Sequence, residues 1–267
     1  MSRSQALTTM SKHFLAFALI LFVLLIMGCD YYSDIKDGLT YEEYISKANY
    51  YLHKKNSEKA ILAYQKALKI KPDDGKTHFA LAELYNNEWW LSYDTAQHRY
   101  IQDIFMNPKK RRSGNATEEL KKFGLKSEYK QLAIQEYKET IKYWPENWAA
   151  RYHIAADLFN NRRYNEAIEE FKKVIDLNPE YSNSYGLIGE AYLELGSYNL
   201  AVEYLKRNIQ IDPTDEYAYY KLGLVYMKMN TLEVNYGDEV NEILKKLKEM
   251  HSSYYDELRL SIFSSTK

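Results

Sequence analysis

The sequence predicts an all-α protein, a solenoid of about five stacked helix pairs. The first observation is proline placement: Pro145, Pro179 and Pro213 follow one another at intervals of 34 residues, and Pro72 precedes Pro145 by 73. The second is that small and large apolar residues recur at fixed phases of the same period. The third is that only 5 Pro and 10 Gly occur in 267 residues, which suits long helices better than many strands and turns. A fixed period of this length marks stacked units, each too small to bury its own apolar face alone.

Each element follows from that phase. Residues Trp148 to Tyr181 carry Ala155, Leu158, Ala167, Phe171 and Pro179 at unit positions 8, 11, 20, 24 and 32. Ser182 to Asp215 carry Gly189, Tyr192, Ala201, Leu205 and Pro213 there, and Tyr41 to Asp74 carry Ala48, Tyr51, Ala60, Tyr64 and Pro72. Positions 8 and 20 are expected to face each other where two helix axes approach. Positions 11 and 24 are expected to fill the space between units. Proline at 32 stops the second helix and sets the turn into the next unit. Thr40 with Glu43 reads as a capping box opening the first helix. Tyr164 and Tyr198, both at position 17, should add to inter-unit packing, and most of the 27 tyrosines are expected in the core.

This pattern resembles the tetratricopeptide-repeat family over three complete units. The resemblance implies a right-handed superhelical array with a concave groove. Two units depart from the pattern. The second begins at Gly75, with Leu81, Ala82 and Tyr85 at positions 7, 8 and 11, but its second helix comes 39 residues late, with Ala133, Tyr137 and Pro145 at 20, 24 and 32 and Thr140 at the usually apolar position 27. Residues 88–127 are therefore an insertion. Its first half, from Glu88 to Asn107, should prolong the preceding helix or form its own. Adjacent Trp89 and Trp90 cannot point the same way on a helix. The basic run Lys109-Lys110-Arg111-Arg112 and a helical piece from Thr117 to Phe123 follow. The fifth unit has Leu222, Gly223 and Tyr226 at 7, 8 and 11 and then loses register. Asp238 to Met250 reads as its second helix, and residues 252–267 as a capping tail with Tyr255, Leu258, Leu260 and Phe263 apolar.

The resemblance also implies which residues line the groove: positions 2, 5, 9, 12 and 13 of each first helix. The candidates are Asn49 and His53 in the first unit and Phe79 in the second. Tyr152, Phe159 and Asn160 follow in the third, Glu190 in the fourth, and Tyr217, Tyr220 and Met227 in the fifth. Ile45 stands where carboxylate-clamping members carry Lys, which argues against an acidic peptide terminus as ligand.

Phe14 to Gly28 is an unbroken apolar run behind Lys12 and His13, shorter than the roughly 20 residues a spanning helix needs. Basic flank, apolar core and small residue make a secretory signal over residues 1–28, with Met10 an alternative start. Ile26-Met27-Gly28-Cys29 resembles a lipobox, so Cys29, the one cysteine of the chain, is expected to carry diacylglycerol and acyl chains. Residues 29–40 then form a short tether to an array over 41–251. Asp30 after the cysteine suggests retention at the inner membrane, on its periplasmic face. The mature charge is 34 basic against 37 acidic residues, or -3, which gives no bias toward nucleic acid. The six histidines are dispersed, and no nucleophile elbow, zinc-binding H-E-x-x-H or phosphate-cradling glycine loop occurs. No enzyme activity, metal or small-molecule cofactor is expected. The expected function is a membrane-anchored scaffold that docks envelope proteins or peptides. The alternative is a polysaccharide-export accessory whose groove aromatics contact sugar rings.

Overall fold

The computed structural model describes residues 38–106, 115–230 and 236–265. Cys29 with the apolar segment before it, Asp30 and the run Lys109 to Arg112 lie outside the described residues, as does the side chain of Phe263. Twelve helices are described: α1 (Tyr41–His53), α2 (Ser57–Ile70), α3 (Gly75–Met106), α4 (Ala116–Lys121), α5 (Ser127–Tyr143), α6 (Trp148–Asn160), α7 (Tyr164–Leu177), α8 (Ser182–Glu194), α9 (Tyr198–Ile211), α10 (Glu216–Asn230), α11 (Gly237–Glu249) and α12 (Tyr254–Ser265). They pair in chain order as α1/α2, α3/α5, α6/α7, α8/α9 and α10/α11, each pair stacking on the next. The result is an all-α solenoid of five units.

Local chemistry sets the helix ends. Thr40 and Glu43 form the expected capping box. At three of the four junctions the residue at unit position 34 caps the next unit's first helix: Thr77 N–H donates to Asp74 (2.8 Å), Ala150 N–H to Asn147 (2.8 Å) and Ala218 N–H to Asp215 (3.0 Å), whereas Tyr181 gives α8 no side-chain cap. Position 15, in the turn inside units one, three and four, takes the left-handed conformation at Lys55 (φ 54°), Arg162 (φ 59°) and Gly196 (φ 73°). Only the fourth unit spends a glycine there, although glycine alone adopts that conformation without a steric penalty.

Packing confirms the assigned register and refines one part of it. Ala48, Ala60, Ala82, Ala155, Ala167 and Ala201 are fully buried, as are Phe171 and Leu205 at position 24. Position 11 joins units: Leu158 packs on both the N-terminal and central core clusters, and Tyr192 on both the central and C-terminal ones. In the fourth unit the nearest neighbour of position 8 is position 24. A Cβ on Gly189 would stand 2.6 Å from Leu205 Cγ and 3.2 Å from Leu205 N, so position 24 closes on it. The side chain at 24 leans back across its own pair as well as toward the next.

The tyrosines are less deeply placed than expected. Tyr44, Tyr64, Tyr85, Tyr137, Tyr185 and Tyr226 are buried, while most of the others described are half-buried and Tyr50, Tyr143 and Tyr217 are exposed. A solenoid is two helices thick, so most large side chains reach one of its faces. Tyr is suited to that position, with an apolar ring and a polar tip.

The insertion prolongs the first helix of unit two. At 32 residues, α3 runs about 48 Å, far past the 13-residue α1, and α4 folds back on its distal half through buried Leu120. Trp89 is half-buried beneath Lys130 and Trp90 is 54% exposed, yet the two rings lie only 5.5 Å apart, each 5.7 Å from Tyr93. At the other end α12 packs on α10 and α11. Leu258 is buried and Tyr255 half-buried, but Leu260 is 65% exposed, on the side of α12 away from the array.

His78 ties unit one to unit two. Its Nδ1 lies 2.6 Å from Glu136 and its Nε2 3.0 Å from the Pro72 carbonyl, so two acceptors face the ring and the doubly protonated imidazolium satisfies both. Burial pushes its pKa down, but Glu136 and the Pro72 carbonyl together raise it above the usual value. A raised folded-state pKa gives stability that is complete below the unfolded value of about 6.5 and lost as pH climbs through the folded value. Melting temperature should therefore fall as pH rises above about 6.5, and His78→Gln should flatten that part of the profile. An unchanged slope in the variant would show that another group titrates.

Candidate partner-binding groove

The first helices α1, α3, α6, α8 and α10 form the concave side. Several residues expected to be displayed there are used inside the array. Asn49 accepts a hydrogen bond from the Tyr64 hydroxyl at 3.0 Å. Phe79 packs on Tyr137 and Trp144, with ring centroids 6.2 and 6.3 Å away. Phe159 meets Tyr164 edge-on at 5.4 Å, and Met227 packs against the C-terminal cluster. Tyr152 lies between Phe171 (5.8 Å) and Tyr181 (5.0 Å), and burial, then Tyr181, raises the pKa of its hydroxyl. Tyr220 stacks on Tyr254 of α12 at 5.0 Å, and Tyr217 approaches the same ring at 5.7 Å. The capping helix thus covers the unit-five end of the groove. The rings of Phe79, Tyr152 and Phe159 fold onto the second helix or the closing turn of their own unit, and only Tyr217 and Tyr220 reach beyond theirs, to the capping helix. Asn49, His53, Asn160 and Tyr217 remain exposed.

Two junctions carry the same polar clasp. A glutamate at position 9 meets a basic residue at position 6 of the next unit. Glu83 lies 3.3 Å from His153 Nε2 and accepts the Tyr137 hydroxyl at 2.6 Å, while the Tyr137 and His153 rings stack at 4.5 Å. The His153 contact, aided by Tyr137, holds the Glu83 carboxyl below its usual pKa against the effect of burial. Glu190 pairs with Lys221 in the fourth junction and accepts the Tyr217 hydroxyl at 3.1 Å. Burial lowers the Lys221 pKa, yet Glu190 and Tyr217 raise it overall. The equivalent pairs elsewhere, Asn49 with Ala80 and Ala156 with Leu187, cannot make this contact.

Beside the second clasp, α8, α9 and α10 enclose a cavity of about 160 Å³, lined by Asn183, Gly186, Glu190, Asn208, Asp215 and Lys221 among others. Asn208 sits at position 27, where Ala67 and Val174 are apolar in units one and three. It is 1% exposed and donates through Nδ2 to Asp215 Oδ2 at 2.7 Å. Among the described residues no donor reaches its Oδ1, nor any partner the buried Ser184 hydroxyl. Glycine at 186 makes the room: a Cβ there would stand 3.2 Å from Asn208 Nδ2.

Two family models described as tetratricopeptide repeat match residues 41–74 and 150–181, and one described as TPR repeat matches 189–230. The first match coincides with unit one as read from the prolines. The protein is built of tetratricopeptide repeats. Solved TPR structures share the fold of the array. A crystal structure of MamA protein is 22% identical, with a TM-score of 0.57, over 80% of this chain and 92% of that one. MamA from Desulfovibrio magneticus RS-1, residue 41 to the end, is 15% identical with a TM-score of 0.53, over 84% and 97%. YrrB, titled a TPR protein with an unusual peptide-binding site, is 16% identical with a TM-score of 0.57, over 83% and 90%. No curated protein matches the chain.

The TPR register also shows what the sequence reading passed over. Asn208 and Lys221 lie at positions 27 and 6, outside the expected groove positions, yet both line the cavity. Asparagine at a position that is apolar in two sister units was the available signal. Among the described residues no group of three or more His, Cys, Asp or Glu is placed to hold a metal ion, and no helix is long and apolar enough to cross a membrane.

Proposed function

We propose that this TPR array is a protein-binding scaffold that seats a segment of a cell-envelope partner in the concave groove of units three to five, and that acyl chains on Cys29 hold it at a membrane. The observation that carries the reading is the polar cavity at the junction of units four and five. A buried asparagine with an unmet acceptor, on a second helix behind a cavity lined mostly by first helices, suits a ligand better than it suits packing, because an unmet buried polar atom costs about 1–3 kcal/mol. The peptide-binding site named for YrrB is consistent with the same use of the fold. The glycan alternative relied on exposed aromatic faces, and the rings of Tyr152 and Tyr220 are engaged by neighbouring rings.

The test is capture of partners from cross-linked membranes. Asn183 is exposed at the cavity and holds no part of the fold together, so Asn183→Arg should block the groove without lowering the melting temperature. Capture should be lost in that variant and kept in Trp90→Ala, which changes only the insertion. The reverse pattern would move the binding surface to α3. Cys29→Ala should release the protein from the membrane or leave an uncleaved precursor without acyl label. Unchanged palmitate labelling would defeat the anchor.

A further inference from the structure

The cavity between α8, α9 and α10 also has a chemical bias. Its walls carry the carboxylates of Glu190 and Asp215 against the single ammonium of Lys221, a net charge of -1. Lys221 is committed: its ammonium binds Glu190 and lies 4.9 Å over the Tyr217 ring. Asp215 is committed as well, one oxygen to the α10 N-terminus and the other to Asn208 Nδ2. The group left without a partner is an acceptor, Asn208 Oδ1, on a side chain 1% exposed. Asp215 behind the amide polarises it, drawing on its N–H and leaving its oxygen more negative. Gly186 lets the amide head come close to α8, since a Cβ there would stand 3.2 Å from Nδ2 and 3.9 Å from Oδ1. An anion entering here would face two carboxylates and an unmet acceptor. A neutral donor would satisfy the acceptor but leave the net charge.

We infer that this cavity receives a cationic side chain of the bound segment, of the lysine or arginine type, which donates to Asn208 Oδ1. The inference rests on reading the groove as the partner's seat. It specifies the ligand rather than the location: a segment with a basic residue should bind, and the same segment with that residue replaced by norleucine or glutamate should bind several-fold more weakly.

The test uses full-length, ¹⁵N-labelled protein and small probes: n-butylammonium and n-propylguanidinium, with butanol and butyrate as neutral and anionic counterparts. The signal is the Asn208 side-chain amide, assigned by its disappearance in Asn208→Val, which restores the residue type of Val174 in unit three. Saturable shifts with both cations and little change with butanol or butyrate are expected. Gly186→Ala, which presses a methyl group against the amide head, should weaken those shifts while leaving the Asn208 signal visible, so the test survives should Asn208→Val fold poorly. Equal responses to butanol or butyrate, or no response to either cation, would overturn the inference. The groove reading is judged apart from it, by partner capture in Asn183→Arg.

Discussion

Phe171→Ala should destabilise the array by about 3–5 kcal/mol, the usual cost of emptying a buried aromatic site. Phe171 is fully buried in the central cluster, among Ala155, Ala167, Ile168, Ile188 and Ala191, with Tyr152 5.8 Å away. The small residues around it cannot close over the space. At about 2–4 °C per kcal/mol for a domain of this size, the melting temperature should drop by roughly 10 °C. Location sharpens the expectation. Unit three lies between the N-terminal and C-terminal clusters, and solenoid stability is a sum of unit and neighbour terms. The variant should uncouple the two ends, so that thermal unfolding broadens and hydrogen exchange quickens first in α6 to α8. A shift under about 2 °C would show that the central cluster repacks, contrary to its steric setting. Uniform loss of protection from α1 to α11 would show one cooperative unit.

The fold was legible because sterics act on every unit at the same phase. Pro145, Pro179 and Pro213 each end a second helix, and Ala155, Ala167 and Ala201 each lie where no larger residue fits, so one period located the architecture. Unit two was legible at both ends despite its insertion, since Ala82 and Ala133 obey the same rule. The length of α3 was left open, because an amphipathic stretch such as Glu88 to Met106 can continue a helix or begin another. Leu260 was misplaced because hydrophobicity alone does not say which side of a terminal helix meets the array. Tyrosine depth was overestimated for a related reason: composition counts rings, whereas a two-helix-thick solenoid decides how far each can sink.

The groove was legible as a surface and poorly legible as chemistry. Groove positions give direction from a helix axis, and Tyr152 does line the cavity between units three and five. Whether a ring is displayed depends on its neighbours, and for Tyr152, Phe159 and Tyr220 those are Tyr181, Tyr164 and Tyr254, the last from a tail with no repeat phase. The clasps Glu83–His153 and Glu190–Lys221 join residues 70 and 31 apart in sequence, one of them across the insertion. Only the register, carried from unit to unit, reveals that both are the same 9-to-6 contact. Asn208 broke a local rule, and such breaks tend to fall at functional sites.

Gly189→Leu is the second large effect expected. The glycine is not there for backbone freedom, since it lies inside α8, where glycine costs up to about 1 kcal/mol relative to alanine. It is there for proximity. A Cβ would meet Leu205 Cγ at 2.6 Å and the Leu205 backbone nitrogen at 3.2 Å, so moving one rotamer does not relieve the contact. Alanine should gain helix propensity and lose it again to crowding, leaving a change of about 0–2 kcal/mol. Leucine adds three more carbons to the same space and should cost about 3 kcal/mol or more, by forcing α8 and α9 apart. Gly223 provides the contrast. Its nearest neighbours are the terminal methyl carbons of Leu258, at 2.6 and 3.1 Å on the capping helix, and these can rotate away. Gly223→Ala should therefore be the milder change. The decisive measurement is a double-mutant cycle. Leu205→Ala alone should cost about 2–5 kcal/mol, but combined with Gly189→Leu it supplies the missing space, so the pair should cost far less than the two single changes together. Additive costs would mean that Leu205 does not set the size limit at 189, and that the close approach of α8 and α9 is governed elsewhere.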